Sequence, residues 1–170
     1  MATRIVAGNK AGNRSTAASR PAPVYPTQNI RGVASLTLEA RDGVLYGQVK
    51  GLVTVAEEPE IFRRLAPAIT DTQVVCIDYS KAVLAITASG LDTLFRAAPP
   101  GPSRLVIAWV VPDAETAALW RQQATRFALA GVRRFSTHLA DEAREYARKE
   151  AWLATQREPW QVQHRAGGAQ

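Results

Sequence analysis

The residues of this chain that could do chemistry gather between Asp78 and Asp92. An apolar run closes on Asp78, and Thr87-Ala88-Ser89-Gly90 then leads into Leu91, Asp92, Leu94 and Phe95. A carboxylate and two hydroxyls this close in sequence suggest nucleophilic catalysis, cation binding or a hydrogen-bonding contact surface. Nucleophilic catalysis needs a base beside the nucleophile and a group that orients the base. The only imidazoles are His138 and His164, and a set built from Ser80 or Ser89, His138 and Asp78 lacks the Gly-x-Ser-x-Gly elbow that would hold such a serine. Neither Gly-x-x-x-x-Gly-Lys nor Gly-x-Gly-x-x-Gly, the glycine patterns that cradle phosphates, is present. One carboxylate with nearby hydroxyls is a thin shell for a metal, and the single cysteine, Cys76, excludes both an intrachain disulfide and a cysteine-built zinc centre. The expectation is no catalytic residue, no metal and no cofactor, with Cys76 an inert core residue.

A contact surface survives this elimination. Thr-Ala-Ser-Gly ahead of Leu91, Leu94 and Phe95 reads as a turn feeding a helix. The first turn of a helix carries unpaired N–H groups and a partial positive charge, so binding at Thr87 to Gly90 favours groups that are anionic or accept hydrogen bonds. The same residues also suit plain structural duties: Ser and Thr cap helices, and Gly permits close packing on a sheet.

The elements that must position this stretch follow from hydrophobic patterning. Leu36 to Ala40 and Val44 to Gly51 alternate around Arg41-Asp42-Gly43, which predicts a β-hairpin. Glu57-Glu58-Pro59-Glu60 marks a helix start, and Ile61, Leu65 and Ile69 fall a turn apart, with Pro67 expected to end or kink that helix. Val74 to Ser80 reads as a buried strand, followed by a loop with a short apolar Val83 to Ile86, and a helix closed by Pro99-Pro100-Gly101-Pro102. Leu105 to Val111 is an unbroken apolar run, as expected of a central parallel strand. Asp113 starts a helix whose buried face is Trp120, Ala124 and Phe127, with Gly131 as its C′ residue. A strand from Val132 to Phe135, an N-cap at Thr137 and a helix from about Leu139 to Thr155 complete the order β-β-α-β-α-β-α-β-α. Alternation of this kind implies an α/β fold with a mixed, mainly parallel sheet and about four helices.

Composition bounds the rest. The chain has 170 residues, 46% hydrophobic and 21% charged, which suits one domain with tails. No apolar run is long enough to span a membrane and no secretory h-region is present, so a cytoplasmic location is expected. The net charge of +6 is concentrated in the first 33 residues, where Arg4, Lys10, Arg14, Arg20 and Arg31 meet no acid. Residues 1–33, rich in Ala, Gly, Ser, Asn and Pro, read as a disordered basic tail able to make weak contacts with nucleic acid or anionic membrane. The folded domain is expected at 34–158, followed by a flexible tail at 159–170.

From Leu36 to about Thr155 the order of elements, together with Ile77-Asp78-Tyr79-Ser80 and Ala85-Ile86-Thr87-Ala88-Ser89-Gly90-Leu91, resembles the STAS domain of anti-sigma factor antagonists and sulfate transporter tails. Val132-Arg133-Arg134-Phe135 and the acidic, Ala-rich last helix look more like the divergent relatives grouped with SEC14-like lipid binders. The resemblance implies a non-enzymatic interaction module that binds a regulatory protein, an anti-sigma factor or kinase-like partner. The implied contact residues are Asp78, Thr87, Ala88, Ser89, Gly90, Leu91 and Asp92. It also implies a switch in which a phosphorylated serine breaks the complex. Here Thr87 stands at the motif's aspartate and Ala88 at its phosphoacceptor serine, so the standard switch is expected to be missing, with Ser89 or Thr87 as substitute acceptors. The alternative is a carrier for an apolar or amphiphilic small molecule such as a lipid, with a pocket among Phe62, Leu94, Trp109, Trp120 and Phe127.

Overall fold

The computed structural model describes residues 25–69 and 72–166, the stretch 157–166 as backbone only. Its elements run β1 (Gln28–Ile30), β2 (Ala34–Arg41), β3 (Val44–Val53), α1 (Glu58–Ile69), β4 (Val74–Leu84), α2 (Ala88–Arg96), β5 (Leu105–Val110), α3 (Ala114–Arg126), β6 (Val132–Thr137) and α4 (Ala140–Ala166). One sheet holds the six strands in sequential order, β1 to β3 antiparallel and β3 to β6 parallel, so the fold is the expected α/β arrangement. The β2–β3 hairpin turns on Asp42 and Gly43, both with positive φ, which is the backbone an Asp-Gly pair suits.

Strands added in sequential order through crossovers of one hand place every crossover helix on the same side. Accordingly α1, α2 and α3 share a face, where Ile61, Leu65, Leu91, Phe95, Ala117 and Trp120 close on Leu36, Val49, Val75, Ile77, Ile107 and Trp109. Trp120 forms edge-on contacts with Tyr79, Phe95 and Trp109, an arrangement aromatic quadrupoles favour. α4 covers the other face, setting Ala143, Ala147 and Ala151 against Val44, Val74, Cys76, Ala108 and Val110. Cys76 is buried there, and its thiol is pushed up to about 12 by desolvation and then by Asp78, as an inert core residue requires.

Several boundaries differ from the sequence expectation. The fold begins before residue 34: Gln28–Ile30 pairs with β2 and Ile30 is fully buried, so the end of the expected tail is an edge strand, while residues 1–24 lie outside the described residues. Three short strand residues carry too little periodicity to be seen beside the preceding prolines. The loop expected after Ser80 is strand, because β4 continues to Leu84 through a bulge in which Tyr79 and Ser80 stand opposite Val49. α1 passes Pro67 and ends at Ile69, and α4 passes the expected boundary at 158 to reach Ala166, leaving 167–170 outside the described residues. Proline removes one N–H and crowds the preceding turn without forbidding helix beyond it. Thr137 closes β6 rather than capping α4, although its Oγ1 accepts from the Leu139 N–H at 3.1 Å. Among the described residues no helix is long and apolar enough to cross a membrane.

Gly131 is not the C′ residue of α3, which ends at a Phe127 cap. It lies in the turn before β6 at φ +79°, and a Cβ there would stand 2.0 Å from the Ser103 carbonyl oxygen. Gly131→Ala therefore combines a left-handed backbone with a backbone clash and is expected to cost roughly 1–3 kcal/mol, measured as a lower urea midpoint with an unchanged m-value.

Candidate functional site

The β4 bulge sets where the site lies. Before it, Val75, Ile77 and Tyr79 point to the three-helix face; one extra residue shifts the alternation, so Ala82 and Leu84 point there afterwards. Asp78 Oδ1 accepts from the Ser80 N–H at 2.9 Å, which pins the bulge. β4 then ends beside β3, with the Ala85 N–H donating to the Val53 carbonyl at 2.8 Å, and the chain turns into α2.

Thr87 is the N-cap of α2. Its Oγ1 accepts from the Gly90 N–H at 3.2 Å, its carbonyl accepts from the Leu91 N–H at 2.8 Å, and its hydroxyl lies 3.3 Å from that of Ser89. Ser89, the other capping candidate, is the second helical residue, and its carbonyl accepts from the Thr93 hydroxyl at 3.0 Å. Thr87, Ala88 and Ser89 are exposed, whereas Gly90 and Leu91 are buried. A Cβ on Gly90 would stand 2.2 Å from Val55 Cγ2, so the absent side chain is what lets the helix start seat against that loop. Asp92 is half-buried, with Oδ2 3.6 Å from Arg126 Nη1 on α3.

The expected contact residues thus divide three ways. Thr87, Ala88 and Ser89 form one exposed surface with Asp92 at its edge. Gly90 and Leu91 hold that surface from behind and cannot themselves face a partner. Asp78 is separated from it, pointing to the α4 face, where its Oδ2 lies 4.0 Å from Arg144 Nη2. His138 is exposed in the turn before α4 and shares no hydrogen bond with Ser80, Ser89 or Asp78 among the described residues, and those residues contain no group of three metal-ligating side chains.

Sequence reasoning missed a buried polar cluster behind the site. Glu58, at the start of α1, is 4% exposed, and its Oε1 accepts from the Tyr79 hydroxyl at 3.2 Å. Desolvation pushes the Glu58 carboxyl up to about 7, against the pull of the Tyr79 hydrogen bond and Arg134. Arg134, on β6, donates to the carbonyls of Phe95, Phe127 and Ala97, the last turns and caps of α2 and α3, where helix dipoles favour a cation. Nothing in Glu57-Glu58-Pro59-Glu60 distinguished Glu58 from the acids beside it, of which Glu57 is also buried but accepts from the Thr54 N–H and hydroxyl, and Glu60 pairs with Arg63 and Arg64.

Glu58 and Arg134 border a cavity of about 120 Å³ lined by Phe62, Leu91, Leu94, Phe95, Trp109 and Trp120 among others. Sites for drug-sized ligands measure roughly 300–1,000 Å³, so Phe62, Leu94, Trp109 and Trp120 surround a space smaller than such a ligand needs, and Phe127 lies outside its lining. A larger open cleft of about 690 Å³ lies at the other end of the sheet, between the first residues of β4 to β6 and α4, with Arg133 and Glu150 paired across it.

No protein-family model matches the chain, and no curated protein matches it. Among solved structures, the crystal structure of an anti-sigma factor antagonist from Mycobacterium paratuberculosis is similar, at 16% identity and a TM-score of 0.44 over 68% of this chain and 94% of that one.

Two outcomes follow from the site geometry. Thr87→Ala removes the α2 cap and is expected to lower unfolding free energy by about 1 kcal/mol, while Ser89→Ala, whose hydroxyl caps nothing, is expected to leave the urea midpoint within error. For Glu58 the folded pKa of about 7 exceeds the ordinary 4.5, so the folded state holds the proton more tightly. Its contribution is full below about 4.5 and is lost as pH rises through about 7, by an amount on the order of 3 kcal/mol. Glu58→Gln should accordingly narrow the stability difference between about pH 5 and about pH 8 in urea titrations; an unchanged difference would show that Glu58 ionises without cost.

Proposed function

We propose that this chain is a non-enzymatic regulatory module of STAS type that docks a protein partner, an anti-sigma factor or kinase-like regulator, at the start of α2. The observation that supports this most is the contrast within the motif: Thr87, Ala88 and Ser89 stand exposed on a helix start whose next two residues are locked into the core. A surface held this rigidly loses little entropy on binding, and its polar groups present a defined pattern to a partner. Asp92 lies at the rim, and Asp78 serves the site indirectly by holding the bulge that aims β4 into it.

In this reading the contact is constitutive. Ala88, at the position the resemblance gives to the phosphoacceptor, has no hydroxyl, and the Thr87 hydroxyl is engaged as a cap. The module acts in the cytoplasm beside its partner, and the basic N-terminal tail, outside the described residues, adds a weak electrostatic tether.

Affinity capture from native lysate with the full chain, compared with Ala88→Arg and Ser89→Arg, tests the docking surface. Both substitutions fall on exposed positions, so folding should be retained, as a thermal melt will check. The expected result is one protein partner whose recovery falls at least about tenfold in both variants, a loss of roughly 1.4 kcal/mol. Unchanged recovery in both would place the interface elsewhere, and stoichiometric phosphate on Thr87 or Ser89 of the native protein would overturn the unswitched reading.

A further inference from the structure

The sheet extends past the helix that covers its second face. α4 packs on Val44, Val74, Cys76, Ala108 and Val110, but beyond Asp78 the last residues of β3 and β4 meet no helix on that side among the described residues. Because of the bulge, Lys81 and Val83 turn outward there together with Lys50 and Leu52. The register pairs Leu52 with Val83 and Lys50 with Lys81. On the other side of β3, Ser35 pairs with Lys50, and the Leu52 N–H donates to the Val33 carbonyl at 2.9 Å. Among the described residues this end of the sheet therefore carries two rows: Leu52 and Val83 with Val33 from the β1–β2 turn, which are 40%, 66% and 45% exposed, and beside them Ser35, Lys50 and Lys81.

Both rows are costly for an isolated domain. Apolar side chains grouped on an open sheet face are ordinarily covered, and like charges directly opposite on neighbouring strands repel. Neither Lys50 nor Lys81 has a carboxylate within ion-pair distance among the described residues, although surface arginines such as Arg41, Arg63 and Arg64 do. A group that matched this face would bring apolar side chains for one row and negative charge for the other. A second copy of this chain laid on the same face would oppose lysine to lysine or to the apolar row.

We propose that this bare sheet end receives an amphipathic helix of the protein partner, with an apolar stripe over Val33, Leu52 and Val83 and glutamates or aspartates over Lys50 and Lys81. This deepens the docking reading above and rests on it for the existence of a partner. The helix would lie beside the start of α4 as the missing part of that layer. It would sit at the end of the sheet from which β4 leads into Thr87, so one partner can reach both surfaces. Helix-in-groove recognition has this form, with apolar anchors giving affinity and flanking charge setting specificity and orientation.

The probe is a pair of synthetic helical peptides with the same leucine stripe, one flanked by glutamates and one by lysines, titrated against the full chain by calorimetry at low salt and again at physiological salt. The acidic peptide is expected to bind at least about tenfold more tightly than the basic one, a difference of about 1.4 kcal/mol, with the preference shrinking as salt rises. Val83→Glu should abolish binding of the acidic peptide, and Lys50→Glu combined with Lys81→Glu should reverse the preference, both in proteins whose melting is unchanged. Equal affinity for the two peptides, no binding by either, or retention in Val83→Glu would overturn the proposal, as would a dimer of the chain that Val83→Glu dissociates. The peptide titration needs no native partner, so its failure leaves docking at α2 standing. Failure of the Ser89→Arg capture would strike that reading alone.

Discussion

One extra residue in β4 sets most of what is distinctive in this molecule. Opposite Val49 the chain carries both Tyr79 and Ser80, and the Asp78 carboxylate holds the irregularity by accepting the Ser80 N–H. A bulge reverses the alternation of everything that follows it. Tyr79 remains inside and delivers its hydroxyl to Glu58, Ala82 and Leu84 join the three-helix core, and Lys81 and Val83 are turned out to the bare face. Without the bulge, Lys81 would point into the apolar layer and Ala82 to solvent.

The crossovers impose a second constraint. With each new parallel strand added on the same side, α1, α2 and α3 must share one face, and their ends crowd together. Arg134 occupies that crowding, donating to carbonyls at the ends of both α2 and α3 and lying 5.2 Å over the Phe95 ring. α4, released after the last strand, is free to cover the opposite face, and its alanines let it sit close to the sheet. Among the described residues it covers only part of that face, so the long β3–β4 pair is left with an open end beside the start of α2.

Most of the motif at the start of α2 has a structural duty. Thr87 uses its hydroxyl on the helix start, Gly90 and Leu91 anchor the first turn, and Ala88 and Ser89 are left exposed. Packing behind such a patch is as specific a requirement as the patch itself. Any side chain at Gly90 would have to displace Val55, whatever lies in front of the helix start.

How much of this was legible in the sequence depended on the range of the interactions involved. The Asp42-Gly43 turn, the unbroken strand from Leu105 and the helix start at Asp113 were legible, because each is decided by backbone preferences and apolar spacing within a few residues, whereas the turn read at Thr87 to Gly90 is the cap and first turn of α2. Gln28–Ile30 was missed because a three-residue edge strand exists only through its pairing with β2. The β4 bulge was missed because it is a relation between two strands, and Ser80-Lys81-Ala82 by itself looks like a loop. Asp78 and Thr87, close in sequence, were grouped into one surface, yet a strand separates them and puts them on opposite faces of the sheet. The sequence by itself determined the order and kind of the elements from β2 to α4, since those depend on local sterics and hydrophobic periodicity. Only the tertiary structure decided which face each side chain took, that Glu58 is buried and that Lys50 meets Lys81, because register and burial are set by segments distant in the chain.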